Sequence, residues 1–244
     1  MEYRDRIKEA FSEIDISLSD IQASQFEEYY RLLIKKNEVM NLTAITDFEE
    51  VLSKHFLDSL MICRMKSWKE YLGEEFYSLI DVGTGAGFPG IPIKIVYPEV
   101  KVVLLDSLNK RVQFLNEVIS LIKLQDINAV HGRAEDFAKN PEYREQFDFC
   151  VSRAVANLAS LSEYCIPFIK KGGNFIPYKS EKIEEEINDA NNAIYLLGGT
   201  ITEKEDFSLP NSDIYRCLLN IRKERTTPKK YPRKAGMPTK EPLH

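Results

Sequence analysis

What this chain has little of narrows it first. Cysteine is sparse, and the four present, Cys63, Cys150, Cys165 and Cys217, form no C-x-x-C pair and stand beside no histidine cluster. Such spacing builds neither a disulfide framework nor a zinc site, so no metal is expected, and buried thiols in a reducing cytoplasm are. Long apolar runs are missing as well. None approaches the ~20 residues of a membrane-spanning helix, so no membrane partner is expected. The opening Met1-Glu2-Tyr3-Arg4-Asp5-Arg6 is too charged for a signal peptide and has no apolar stretch behind it. Internal repeats and low-complexity segments are absent too.

Positive charge is short overall, with a formal net charge of −5. That excludes a protein coating nucleic acid over its whole surface, although it is the distribution of charge that steers a polyanion. Here the distribution is lopsided. Between Arg222 and Lys240 stand Arg222, Lys223, Arg225, Lys229, Lys230, Arg233, Lys234 and Lys240 against the single acid Glu224. Such a tail reads as a solvated end or as a phosphate-binding face.

The rest has the composition of a soluble globular protein, 43% hydrophobic and 29% charged. A length of 244 residues suits one main domain with an appendage. The expected organisation is a helical region over 1–75, a main domain over 76–221 and the basic Pro/Gly tail over 222–244. A monomer is the default.

Glycine, with eleven residues, is concentrated at one point: Asp81-Val82-Gly83-Thr84-Gly85-Ala86-Gly87-Phe88-Pro89-Gly90. The short apolar run Tyr77 to Val82 before it reads as a buried strand that ends in a ligand loop. Taken from Gly85, the segment matches the G-x-G-x-x-G dinucleotide fingerprint, in which a pyrophosphate rests on a helix N-terminus. Taken from Asp81, it is acidic-x-Gly-x-Gly-x-Gly, similar to the first motif of class I S-adenosylmethionine-dependent methyltransferases. Asp81 would repel a pyrophosphate and attract an ammonium or sulfonium, which favours the methyl donor. Asp106, closing the strand Val100 to Leu105, suits a ribose in either family, or caps the helix beginning near Asn109.

Around this loop, strands and helices alternate. Ser19-Asp20-Ile21-Gln22 and Asp47-Phe48-Glu49-Glu50 read as capping boxes that open amphipathic helices. In the second helix His55 and Asp58 lie one turn apart, as a functional pair or as an ordinary surface pair. A helix over Asn109 to Leu124 precedes a strand from Ile127. The turn after that strand puts Ala134 and Glu135 at the ligand edge, for an adenine or as an ordinary helix cap. A fourth strand, Phe147 to Ser152, ends at Arg153. Further strands are expected over Asn174 to Tyr178, Thr200 to Lys204 and Ile214 to Ile221, with a helix over Glu181 to Asn192. The total is seven, the last two an antiparallel hairpin at the sheet edge. The fold class is therefore α/β: a Rossmann-like, mostly parallel seven-stranded sheet with helices on both faces and a helical N-terminal extension.

Taken together, Asn41-Leu42-Thr43, His55-Phe56-Leu57-Asp58-Ser59, the glycine loop with Phe88-Pro89-Gly90, Leu105-Asp106-Ser107, Gly132-Arg133-Ala134-Glu135, Ser152-Arg153-Ala154 and Lys230 to Pro238 resemble the RsmG family. This family, also called glucose-inhibited division protein B, contains bacterial 16S ribosomal RNA guanine-N7 methyltransferases. The resemblance implies S-adenosylmethionine contacts at Asp81, Gly83, Gly85, Gly87, Phe88, Asp106, Ala134, Glu135 and Arg153. It implies a guanine in 16S rRNA, in a loop near the decoding site of the small ribosomal subunit, as substrate. Arg153, Lys179, His55 and Asp58 become candidates for positioning it, with the basic tail on RNA phosphates. One departure is Tyr178-Lys179-Ser180, where a glycine is expected after the lysine. Guanine N7 has a lone pair and no proton, so neither a triad nor a metal is called for, and positioning is most of the catalysis. The rival readings are a nicotinamide-dependent oxidoreductase and an inactive RNA-binding protein of methyltransferase fold.

Overall fold

The computed structural model describes residues 2–73, 77–153, 156–180 and 183–243. The boundary expected at 75 and 76, and also Ala154 and Glu181, lie outside the described residues.

Two helices open the chain, α1 (Glu2–Ser12) and α2 (Asp20–Met40). The capping box at α2 forms in full: the Ser19 hydroxyl accepts from the Gln22 N–H, and the Gln22 side chain accepts from the Ser19 N–H. Its counterpart forms by half. Asp47 accepts from the Glu50 N–H and caps α3 (Phe48–Val51), but the Glu50 carboxylate goes to Lys54 instead. The helix then loosens into a π-helical turn, Leu52–Leu57, before α4 (Asp58–Leu60), a 3-10 turn at Met61–Arg64 and α5 (Lys66–Lys69).

The sheet follows: β1 (Ser78–Val82), α6 (Gly90–Val96), β2 (Lys101–Asp106), α7 (Asn109–Leu121), β3 (Ile127–His131), α8 (Ala134–Phe137) and β4 (Phe147–Ser152). It continues with α9 (Leu158–Cys165), β5 (Ile169–Lys179), α10 (Glu184–Leu197), β6 (Gly199–Ser208) and β7 (Tyr215–Lys223), with α11 (Met237–Lys240) beyond it. Strand order is β3-β2-β1-β4-β5-β7-β6. The first five strands are parallel, and β7 runs antiparallel between β5 and β6. This is the expected seven-stranded class, with the terminal hairpin where it was placed. The last strand reaches Lys223, so the expected boundary at 221/222 cuts through it. α7 ends at Leu121 rather than Leu124.

Because successive strand residues point to opposite faces, each strand feeds two cores. Leu79, Leu104, Phe149 and Ile176 pack on one side with Phe26, Tyr29, Phe56 and Trp68 from the N-terminal helices, and with Ile91 and Phe114. Ile80, Leu105, Cys150 and Phe175 pack on the other with Leu161, Ile194 and Tyr231. The N-terminal region thus shares its core with the sheet. Strand order reverses between β1 and β4, the switch point at which open α/β sheets hold ligands.

Candidate active site

The glycine loop leaves β1 at that switch point and is anchored from three sides. The Gly83 and Thr84 N–H groups donate to the Leu105 carbonyl, at 2.8 and 3.2 Å. Tyr29 on α2 donates its hydroxyl to the Ala86 carbonyl at 2.6 Å. Asp81 ties the two ends together, its Oδ2 accepting from the Thr84 hydroxyl at 2.7 Å and from the Gly90 N–H at 2.9 Å. The carboxylate is fully buried and its Oδ1 finds no donor among the described residues. Burial pushes it up to about 7, against the pull of Thr84 and Gly90. Asp81 is therefore turned behind the loop, where the sequence argument had aimed its charge at a ligand.

Asp106 ties the glycine loop to the segment that leads into α7. Its Oδ1 accepts from the Leu108 N–H ahead of α7, and its Oδ2 accepts from the Gly85 N–H, both at 2.9 Å, with Arg111 3.4 Å away. Oδ1 keeps one lone pair for a further donor.

A cavity of about 420 Å³ opens beside the loop, lined by Val82, Gly83, Leu105, Leu108, Ala134, Glu135, Ser152, Leu161, Tyr164 and Gly236 among others. That is the size of a small-molecule site, apolar with a few polar groups. Gly83 and Gly85 have positive φ (73° and 63°), and a Cβ on either would meet nothing within 4 Å, so the main chain lies bare toward open space. Such a cleft fits an adenosine-bearing cofactor, with apolar walls for a base and carboxylates for hydroxyl and amino groups.

Gly87 and Phe88 lie deeper. A Cβ on Gly87 would meet the Tyr29 hydroxyl at 2.7 Å. Phe88 is buried, stacks on the His55 ring at 4.6 Å and carries the Arg153 guanidinium 5.1 Å from its ring centre.

Arg153 faces a second cavity, of about 260 Å³, lined by Ile45, Lys54, His55, Asp58, Tyr178, Lys179, Ser180 and Arg216. Here His55 and Asp58 are linked through the helix backbone, the Asp58 N–H donating to the His55 carbonyl, while their side chains do not pair directly and Arg153 bridges them instead. Its Nη1 donates to Asp58 Oδ2 and to the Lys54 carbonyl, and its Nη2 reaches His55 Nδ1, each at 3.1 Å. His55 Nδ1 thus lies between the Arg153 guanidinium and the Lys54 carbonyl, each at 3.1 Å, and Nε2 lies 2.9 Å from the Thr43 hydroxyl. Burial, reinforced by Arg153 and Arg216, holds His55 down at about 3, so the ring is neutral. Arg216, on β7, donates from Nε to Asp58 Oδ1 at 2.9 Å. Neither Arg216 nor Tyr29 stands in a motif, and both were missed. Lys179 is largely spent, held by Glu186 at 2.7 Å and donating to the Ala156 carbonyl at 3.2 Å.

The tail does not stand free as a solvated end but is docked on the body of the protein. Lys223 is buried in β7, with Nζ on the Ile166 carbonyl, the Thr227 hydroxyl and Glu145; burial lowers it to about 8. Arg233 forms a forked pair with the buried Glu163. Arg144 donates to the carbonyls of Thr227 and Tyr231. Arg225 lies over the Tyr195 ring. Of the tail cations named, Arg222, Arg225, Lys229, Lys230, Lys234 and Lys240 stay exposed.

Comparison with known proteins places this architecture. The family described as rRNA small subunit methyltransferase G (GidB) matches residues 22–212. The ribosomal RNA small subunit methyltransferase G of Lachnoclostridium phytofermentans is 55% identical over 94% of this chain and 93% of its own. That of Alkaliphilus metalliredigens is 50% identical over the whole of both chains, and that of Staphylococcus aureus 49% identical over 97% of each. Among solved structures, the fibrillarin pre-rRNA processing protein of Methanococcus jannaschii superposes with a TM-score of 0.48, at 14% identity over 62% of this chain and 68% of that one. The family and relatives leave no place for a nicotinamide oxidoreductase: the chain belongs to the rRNA small subunit methyltransferase G family.

Proposed function

We propose that the protein methylates N7 of a guanine in 16S ribosomal RNA, taking the methyl group from S-adenosylmethionine held in the cleft beside Gly83. One observation carries the reading. Two successive residues at the end of β4 face two different cavities, Ser152 the cleft and Arg153 the pocket under the N-terminal helices. A donor and an acceptor on either side of that strand end meet there, as methyl transfer requires.

S-adenosylmethionine, when bound, supplies a methyl group on a sulfonium for in-line displacement. The chain's residues supply positions. Glu135 and the backbone at Ala134 meet the adenine, and the free lone pair of Asp106 Oδ1 takes a ribose hydroxyl. Bare backbone at Gly83 and Gly85 lets the ligand lie close, and Asp81 holds the loop in that shape.

In the second pocket, Arg153 and Arg216 offer donors to a purine O6 while N7 stays free to attack. A guanine methylated at N7 becomes cationic, which two guanidiniums alone would oppose. Asp58, between them, removes one charge, and Glu186 offsets Lys179. N7 lies on the Hoogsteen edge, open to side chains in unpaired RNA, and the exposed tail lysines suit its phosphates.

The test is transfer of labelled methyl from S-adenosylmethionine to small-subunit rRNA, naked and within the subunit, followed by nucleoside analysis. Label in 7-methylguanosine at one site is expected. Label in another nucleoside, or none in either form, would overturn the reading.

A further inference from the structure

The tail does more than carry charge. After β7 it crosses the face of α9 and comes back to the cleft, where Gly236 forms part of the wall. The Gly236 N–H donates to Glu135 Oε1 at 2.9 Å, the carboxylate placed above on the adenine. Gly236 has φ of 81°, a left-handed conformation that glycine adopts without strain and that aims its N–H at Glu135.

Independent fastenings hold the segment in place. Glu163, with no exposed surface, takes the Arg233 N–H at 2.7 Å and the Arg233 guanidinium at 2.7 to 3.1 Å. The buried Ser160 hydroxyl donates to the Pro238 carbonyl at 2.7 Å, and Tyr164, itself lining the cleft, meets the Thr239 hydroxyl at 2.7 Å. A buried carboxylate is costly without its partner, so Glu163 commits the tail to this path. Lys229, Lys230, Lys234 and Lys240 point outward from the same segment.

We propose that residues 227–240 are a wall of the cofactor cleft, so that their docking, the cofactor's grip and the hold of their outward lysines on RNA phosphates are thermodynamically coupled. This rests on the cleft taking S-adenosylmethionine. Cofactor in the cleft packs against a docked tail and stabilises it. RNA bound to the lysines favours the same docked state. Linkage then makes the effects reciprocal: RNA tightens cofactor binding by the factor by which cofactor tightens RNA binding.

The test uses the full chain and S-adenosylhomocysteine, the product, as probe. Calorimetry first establishes binding and its saturating concentration. Trypsin then reads tail docking through the rate of cleavage after Lys229, Lys230 and Lys234, without and with saturating probe. Protection of at least about fivefold, the lower end of ordinary coupling, is expected. Arg233→Gln should weaken probe binding by a similar factor and abolish the protection, and a 16S RNA fragment should tighten it. Unchanged cleavage in a protein that calorimetry shows to be saturated would overturn the inference while leaving the cofactor reading intact. No calorimetric binding at all would overturn both.

Discussion

Arg153 and Asp58 are 95 residues apart in the chain and 3.1 Å apart in the fold. With Arg216 on its other oxygen, Asp58 is 3% exposed and faces two cations. Asp58→Asn points an amide N–H₂ at a guanidinium and leaves the pair uncompensated. Urea unfolding should show a loss of about 1–3 kcal/mol, below the usual cost of breaking a buried pair because both arginines keep some solvent. Turnover should fall about tenfold, worth roughly 1.4 kcal/mol at the transition state. Affinity for S-adenosylhomocysteine should barely change, because Asp58 faces the other cavity.

Asp81 makes stability depend on pH in an unusual sense. Its folded value, about 7, lies above the ordinary 3.8, so the folded state holds more protons between the two. The stability associated with the proton is present below 3.8 and is lost as pH rises toward 7. Asp81→Asn, which mimics the protonated form, should gain on the natural protein across that window by up to roughly 1.4 kcal/mol per pH unit, then level off. Urea midpoints at pH 5 and 8 check this, and a constant difference would refute it.

His55 works in the opposite sense. Its folded value, about 3, lies below the ordinary 6.5, so the unfolded state takes up the proton first as pH falls. Its contribution is complete above 6.5 and is lost on acidification toward 3. His55→Gln, which keeps polar atoms for Thr43 and Arg153 without titrating, should show a flatter stability profile between pH 4 and 6.5. Thermal unfolding across that range would reveal it.

For the tail, the triple change Lys229→Gln, Lys230→Gln and Lys234→Gln leaves the Arg233–Glu163 fork untouched. RNA affinity should fall, and the slope of log affinity against log salt should flatten by up to about 2, at roughly 0.7 per lost phosphate contact on single-stranded RNA. A filter-binding series at several salt concentrations measures it.

Much of this was legible beforehand because backbone chemistry is local. Strands buried on both faces leave short, mostly apolar runs, and glycines mark where the chain must turn, so β1, β2, β4 and the loop could be read directly. α9 could not: Leu158 to Cys165 is buried almost all round, apart from Tyr164, which erases the polar stripe that betrays an amphipathic helix. Site geometry was harder still. Nothing near Asp58 in the chain says that it answers to Arg153 and Arg216, since that pairing depends on how the N-terminal helices settle on the sheet. The tail misled for a related reason. Its charges and prolines suggest a loose arm, but the buried acid that holds Arg233 sits 70 residues upstream.

The π-helical turn from Leu52 to Leu57 has one consequence for comparing sequences. Such a turn accommodates one residue more than an α-helix does, and Asp58 follows directly after it. Deleting one residue inside it would let the helix tighten into α geometry while leaving Asp58 on nearly the same face, because the extra residue is absorbed within the turn itself. A homologue with a single gap there can therefore keep its aspartate between both arginines. At this helix, a one-residue difference in segment length is no sign that the ion pairs are lost.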